Sequence, residues 1–351
     1  MTFTKTACHW VQVSVACTLG LALFTIPARA AKGDLQIYMI DVEGGQSTLF
    51  VTPEGGSLLI DAGWPGNAGR DADRIIAATK LAGIKKIDTV VLTHYHDDHI
   101  GGVPQLVERI PVGTFVDHGP NTELEPGATL DVANAYRKVL ATGKYKHVVA
   151  KAGDEIPVKG MKVTAISSNG QVIDKPVPGG GETNKYCDIP ETKSPDHSEN
   201  SRSLGVLINF GKLKVLDLGD LTWDQEAKFM CPVNLLGKID ILVVSHHGFS
   251  PSSSRALIYG IQTRVALMDN ASTKGGNIPV LDIIRSAPGL ENLWQLHYSE
   301  EGGAKHNTGA EYIANPRGPD EGNYISVKAS PTGSFTVYNS GNKTSKTYAA
   351  K

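Results

Sequence analysis

The chain has 351 residues, long enough for one large α/β domain or for two to three smaller ones. Its 34 Lys and Arg stand against 36 Asp and Glu, a formal net charge of −2. That excludes a protein held on nucleic acid by bulk positive charge, and it excludes an acidic disordered chain. Hydrophobic residues at 40% suffice for a core, and 38 Gly with 19 Pro mark a loop-rich chain below the low-complexity range.

Residues 1–9 carry one cation, Lys5, and an apolar run follows from Trp10 to Ile26. Pro27-Ala28-Arg29-Ala30 then supplies an A-x-A cleavage pattern, so residues 1–30 read as a secretory signal peptide cleaved near Ala30. The mature chain is expected to be secreted or periplasmic. The alternative, an uncleaved membrane anchor, suits the run less well, because it is short and interrupted for a spanning helix. Cys17 sits mid-run, where a lipid anchor is not expected. No later stretch approaches the length of a span, so no membrane span is expected in the mature chain. Loss of Lys5 and Arg29 with no acid takes the net charge from −2 to −4. Cys187 and Cys231 remain, and in an oxidising compartment they allow one bridge, with two separate buried thiols as the alternative.

Leu35–Asp41, Ser47–Thr52 and Ser57–Asp61 are rich in Val, Ile, Leu and Phe and read as strands separated by turn signals. Asp71–Leu81 carries a helical apolar stripe, Asp88–Leu92 is a buried-strand pattern, and Thr129–Leu140 is a second amphipathic helix. The order then repeats. Leu204–Phe210 and Leu213–Leu218 form a predicted hairpin around Gly211-Lys212, and Trp223–Met230 is helical. Ile239–Val244 is an apolar strand, Ser252–Ile258 a helix, Arg264–Met268 a strand and Ile278–Ser286 a helix. Tyr324–Ala329 and Ser334–Tyr338 make a terminal hairpin. This predicts two packed β-sheets with helices outside, one sheet per half. No clean linker divides residues 31–351, which read as a single domain with 167–200 as a long functional loop.

Four strand ends carry the chemistry. The first reads Thr93-His94-Tyr95-His96-Asp97-Asp98-His99-Ile100-Gly101-Gly102, an HxHxDH pattern directly after an apolar strand. Imidazole and carboxylate at this density suit a borderline ion such as Zn²⁺. His94 and His96 alternate by two, so an extended backbone aims both rings the same way, while Asp98 and His99 lie past the turn and can face a second ion. The second is Leu216-Asp217-Leu218-Gly219-Asp220. Asp220 could bridge two metals or cap the following helix, and Asp217 is expected to make structural hydrogen bonds. The third is Val244-Ser245-His246-His247-Gly248. His246 reads as a ligand and His247 as the acid/base or substrate contact, with the reverse assignment also open. The fourth is Ile60-Asp61-Ala62-Gly63, where Asp61 could hold a ligating imidazole in one tautomer or form an Asx turn.

Together these motifs resemble the metallo-β-lactamase superfamily, over residues 34–330 and in the family's order of Asp61, the His cluster, Asp220 and His246. The resemblance implies an α/β fold, a four-layer αββα sandwich of two similar halves, with up to two metal ions, often zinc, in a cleft at the sheet edges. The chain departs from the common pattern where a further histidine should precede the strand before Asp220. Asn200 occupies that place, in Glu199-Asn200-Ser201-Arg202-Ser203-Leu204. The N-x-x-S-L run with the later S-H-H-G is most similar to the hydrolase domain of ComEC-type DNA-uptake proteins, here without a transmembrane region. The resemblance implies one site of His94, His96 and Asp220 with water or Asn200, and another of Asp98, His99, Asp220 and His246. An amide oxygen suits harder ions, so the first site is expected to be weaker or to take Mn²⁺, and one or two ions could bind.

His118 and His297 follow predicted strands and are candidate substrate contacts. The Lys80–Lys86 and Arg137–Lys146 clusters read as solvated helix faces, with a nucleic-acid track as a minority reading. The implied activity is metal-assisted hydrolysis by a metal-bound hydroxide, with Asp98 and His247 as candidate catalytic residues. A phosphodiester or related phosphoester is the expected substrate. A lactone or β-lactam is the alternative, and a metal-binding protein that has lost turnover is a third reading, for which Asn200 speaks.

Overall fold

The structure, a computed structural model, describes residues 1–2, 33–188, 194–318 and 320–351. The expected signal peptide, its cleavage site and Cys17 lie outside the described residues. Among the described residues no helix is long and apolar enough to cross a membrane.

Two large sheets form the body. The first has nine strands in the spatial order Ser345–Tyr348, Phe335–Asn339, Ile325–Ala329, Leu35–Met39, Thr48–Val51, Ser57–Ile60, Ile87–Val91, Val112–Asp117 and Lys146–Val149. It is antiparallel up to Ser57–Ile60 and parallel from there. Parallel neighbours need crossovers, and the helices Arg70–Ala82 and Ala128–Ala141 lie in two of them. The second sheet has eight strands in the order Ile313–Asn315, Asn292–His297, Val265–Met268, Ile241–Val243, Leu213–Asp217, Val206–Phe210, Met161–Ala165 and Glu155–Val158. Its parallel part is crossed by the helices Trp223–Met230, Arg255–Ile261 and Ile278–Arg285. The expected hairpin turns at Gly211-Lys212, with Gly211 at φ 58°.

Side-chain alternation sorts the residues into layers. Leu35, Ile37 and Met39 face the second sheet and pack with Ile208, Val215, Ile241, Leu267 and Trp294. Tyr38 and Ile40, on the other face, join Ala72, Ile75 and Tyr136 under the outer helices. Leu216, Leu242 and Ala266 do the same on the far side of the second sheet, against Phe229, Leu257 and Ile284. The result is the α/β/β/α order that the motif reading implies. Cys187 and Cys231 form a disulfide with Cα atoms 5.7 Å apart.

The division into one sheet per half needs a correction. Ile325–Ala329 pairs with Leu35–Met39, Ile37 opposite Val327, so the C-terminal strands complete the first sheet rather than the second. The physical reason is that Leu35–Met39 would otherwise be an apolar open edge. The last strand also ties across the sandwich, where Trp294 Nε1 donates to Tyr348 Oη at 3.0 Å. Residues 167–200 hold short strands at Ser167–Ser168, Gln171–Val172 and Glu182–Thr183, and a helical turn at Glu199–Arg202.

The sheets meet at one edge. Leu204 N–H donates to Thr93 O at 2.8 Å, and Gln46 Nε2 donates to both oxygens of Asp217 at 2.9 Å. Gly219 has φ 56°, and a Cβ there would stand 2.7 Å from Thr93 Cβ. A side chain at this position would wedge the two edges apart and strain the backbone. Gly219→Ala is therefore expected to cost roughly 2 kcal/mol, read as a lowered midpoint in denaturant unfolding. An unchanged midpoint would show that the edges are not closely apposed.

Candidate metal centre

Asp61 ends the strand Ser57–Ile60 with φ 59° and is fully buried. Its Oδ1 accepts Thr93 N–H at 2.8 Å, and its Oδ2 accepts the Thr93 hydroxyl at 2.7 Å. Oδ2 also lies 2.7 Å from His99 Nδ1. A carboxylate acceptor there draws the hydrogen to Nδ1 and leaves the Nε2 lone pair facing inward. The Thr93 hydroxyl, having donated to Asp61, accepts from His94 Nδ1 at 3.1 Å. His94 thus also turns Nε2 inward. His96 is reversed: its Nε2 lies 3.3 Å from Glu123 Oε1, and its Nδ1 lies 3.0 Å from His94 Nε2. The backbone is extended at His96 (φ −69°, ψ 154°) and coils into one helical turn over Asp97–Ile100. That change of conformation separates the direction of His94 and His96 from that of Asp98 and His99.

The second sheet supplies the facing wall. Asp220 follows Gly219, and its Oδ2 lies 3.9 Å from His94 Nε2 and 3.5 Å from His246 Nε2. His246 and His247 both have left-handed backbones, φ 57° and 53°, conformations that non-glycine residues hold only where surrounding structure imposes them. His246 Nδ1 lies 3.1 Å from Ser252 Oγ, which itself donates to Asp220 O. His247 Nδ1 stands 3.3 Å from Asp269 Oδ1, and its Nε2 lies 3.1 Å from Asp98 Oδ2 and 3.6 Å from Asp220 Oδ1. His99 Nε2 lies 3.3 Å from Asp220 Oδ1. The ligand atoms of Asp98, His99, Asp220 and His247 all lie within 4.8 Å of one another.

The geometry places the histidine pair in the alternative of the two arrangements left open by the sequence. His247, with no exposed surface, sits in the Asp98–His99–Asp220 group, where His246 was expected. His246 instead stands with His94 at the other oxygen of Asp220. The left-handed turn rotates consecutive rings to opposite sides of that carboxylate, which strand-end counting does not anticipate. Asn200 Nδ2 lies 3.5 Å from His246 Nε2, so the ring occupies the space beside the substituted position.

Charge in the pocket is concentrated and buried. Burial would raise Asp98 and Asp220, yet His99 and Lys274 hold Asp98 well below the usual carboxylate range, and His99, His246 and His247 do the same for Asp220. Burial and the neighbouring His99 and His96 push His94 well below the ordinary imidazole value, which keeps it neutral. Burial would also lower His99, but Asp220, Asp98 and Asp61 outweigh it and hold His99 well above. Asp220 Oδ1 is buried and accepts no hydrogen bond. A buried carboxylate oxygen without a hydrogen bond, with the inward nitrogens of His99 and His247 at 3.3 and 3.6 Å, fits a divalent cation.

His118 and His297, the expected substrate contacts, lie in buried pairs with carboxylates. His118 Nε2 lies 2.9 Å from Glu199 Oε2, and His297 Nε2 lies 2.8 Å from Asp41 Oδ1. Glu199 escaped the sequence reading. Its carboxylate takes Thr122 N–H at 2.6 Å and Tyr95 N–H at 3.2 Å, joining the loops beside His96. Burial would raise it, but His118 and Thr122 hold it down at about 2. Lys274 was also missed. Its Nζ contacts Asp98 Oδ2 and Gly44 O and lies 4.8 Å from the centre of the Trp64 ring.

Residues 41–181 match the family model described as "Metallo-beta-lactamase superfamily". The chain is 25% identical over 74% of its length to ComE operon protein 3 of Bacillus subtilis, covering 31% of that protein. It is 26% identical over 72% of its length to Recombination protein 2 of Haemophilus influenzae, covering 27% of that protein. The chain thus spans less than a third of the length of these two relatives. Among solved structures, the metallo-beta-lactamase fold protein YhfI of Bacillus subtilis aligns with a TM-score of 0.45 and 15% identity, over 75% of this chain and 96% of that one.

Asp217, which Gln46 ties across the sandwich, is pushed up to about 7 by burial, with Asp61 and Asp269 adding to the effect against the Gly219 N–H and the Gln46 amide. Its folded value exceeds its unfolded one, so its contribution to stability is whole in acid and is lost as pH rises through 7. In metal-free protein, Asp217→Asn should gain on the wild type by roughly 3–5 °C in Tm between pH 5 and pH 8. Parallel Tm profiles would refute a protonated Asp217.

Proposed function

We propose that this chain, which carries a domain of the metallo-β-lactamase superfamily, is a metal-dependent hydrolase that cleaves a phosphodiester or related phosphoester. The observation that carries the reading is the set of five imidazoles, at 94, 96, 99, 246 and 247. Each has its outward nitrogen beside an oxygen; the inward nitrogens of His94, His99, His246 and His247 face Asp98 or Asp220, and that of His96 lies 3.0 Å from His94 Nε2. His94, His96, His246 and Asp220 would hold one ion, and Asp98, His99, His247 and Asp220 a second. Zinc suits this nitrogen and carboxylate set, with Mn²⁺ as the harder alternative. A divalent ion there supplies Lewis-acid polarisation and an activated water near neutral pH.

The chain's own residues fix the arrangement. Asp61, Thr93, Glu123, Ser252 and Asp269 set ring orientation, the condition for a site that needs no reorganisation on binding. His247 is fully buried and bonded inward, so it serves as a ligand and not as the proton donor to a leaving group. Lys274, 28% exposed, puts a cation at the rim beside Trp64. A fixed cation there favours an anionic ester over a neutral lactone. The acidic net charge of the chain favours a small or short substrate over a long nucleic acid. Residues 31–351 act as one unit in this reading, outside the cytoplasm after loss of 1–30. The Cys187–Cys231 bridge supports an oxidising compartment.

Zinc-loaded protein should turn over bis(p-nitrophenyl) phosphate and leave a chromogenic β-lactam intact. Asp220→Ala should lower kcat/KM by about 10³-fold or more. Turnover of the lactam alone would overturn the substrate assignment, and metal binding without either activity would mark a binding protein. Metal analysis of His96→Ala should show at least one ion fewer per chain than the wild type. Equal metal in both would remove His96 from the ligand set, and metal in neither would overturn the metal centre itself.

A further inference from the structure

The segment after the strand Val265–Met268 folds back over the pocket. Gly276 N–H donates to His247 O at 2.9 Å, and Ala271 N–H to Lys274 O at 2.9 Å, a turn that aims the Lys274 side chain at Asp98. Its ammonium is held from three sides, by Asp98 Oδ2, by Gly44 O and by the face of the Trp64 ring. The oxygen it takes is the one that faces His247 Nε2 at 3.1 Å and His99 Nε2 at 3.5 Å. A lysine and a divalent ion in the Asp98–His99–Asp220–His247 group would therefore draw on one carboxylate oxygen.

Resting on the reading of this pocket as a metal centre, we propose that Lys274 is a built-in competitor for the second metal position. It lowers the affinity of the Asp98–His99–Asp220–His247 group and leaves the His94–His96–His246–Asp220 position as the tight one. Two cations on one oxygen repel, and a tethered ammonium is present at high effective concentration. Gly44 O and Trp64 hold the ammonium in place, so a metal entering this group must either share Asp98 with it or displace it. The competition is specific to one position, because among the described residues Lys274 Nζ contacts Asp98, Gly44 and Trp64 and not His94, His96 or His246. This inverts the order of affinities expected from Asn200 alone.

The test is zinc binding to the metal-depleted full chain by equilibrium dialysis, with bound metal counted by mass spectrometry. Wild type should take one ion tightly and a second at ten-fold or more higher free zinc. Lys274→Met should tighten the second ion at least ten-fold and leave the first within about three-fold, while Lys274→Arg should behave as wild type. If Lys274→Met does not fold, Lys274→Gln gives the same readout. A second affinity that is unchanged or weaker in the neutral variants overturns the proposal while the metal centre stands. A wild type that binds no zinc overturns both.

Discussion

Everything at the centre depends on the two sheets meeting at one edge at a fixed distance. The HxHxDH residues belong to one sheet and Asp220, His246 and His247 to the other, so neither sheet alone contains a site. The apolar layer between the sheets sets the spacing, and Gly219 lets the edges touch. Thr93 is the pivot: its carbonyl binds Leu204 of the opposite sheet, its N–H and hydroxyl bind Asp61, and its hydroxyl receives His94. Packing is here a positional device, since a displacement of an ångström at this edge would separate the imidazoles from Asp220.

The electrostatic consequence is a pocket that opposes folding unless it is filled with positive charge. Asp98 and Asp220 remain anionic in a place where burial disfavours anions, and a hydrogen-bonded carboxylate, Asp61, stands just behind them. His99 and His247, both held above the ordinary imidazole value by the surrounding carboxylates against burial, and the ammonium of Lys274 supply that charge in the metal-free chain. Metal and protons thus compete for the same nitrogens. The buried pairs His118–Glu199 and His297–Asp41 obey the same rule elsewhere, each carboxylate being matched by a cationic or hydrogen-bonding partner.

The parts of this arrangement readable in the sequence are those governed by period and strand ends. The period-two spacing of His94 and His96 needed only an extended backbone, and Asp220 needed only an apolar strand before it. The layer order followed from alternating apolar strands and amphipathic helices. The parts that were not readable depend on contacts between distant segments or on backbone sign. Nothing local marks Glu199 as the partner of His118, or Lys274, in a glycine-flanked loop, as the neighbour of Asp98. Which of His246 and His247 faces Asp98 is decided by two consecutive left-handed residues, and only glycine or asparagine advertises that conformation in a sequence. The return of residues 325–348 to the first sheet is likewise a choice between two open edges that composition does not distinguish.

That return has a bearing on how the chain is made. Leu35 lies beside Ala329, so the strand at the start of the fold and the strands near its end are mutual neighbours. During synthesis the first sheet has an unprotected side until residues 325–329 have been made, and the Tyr348–Trp294 tie comes later still. Such long-range pairing is slow, because loop closure must precede any reward from contacts. A chain with this topology keeps an open, aggregation-prone sheet edge until its residues 325–348 are available to cover it.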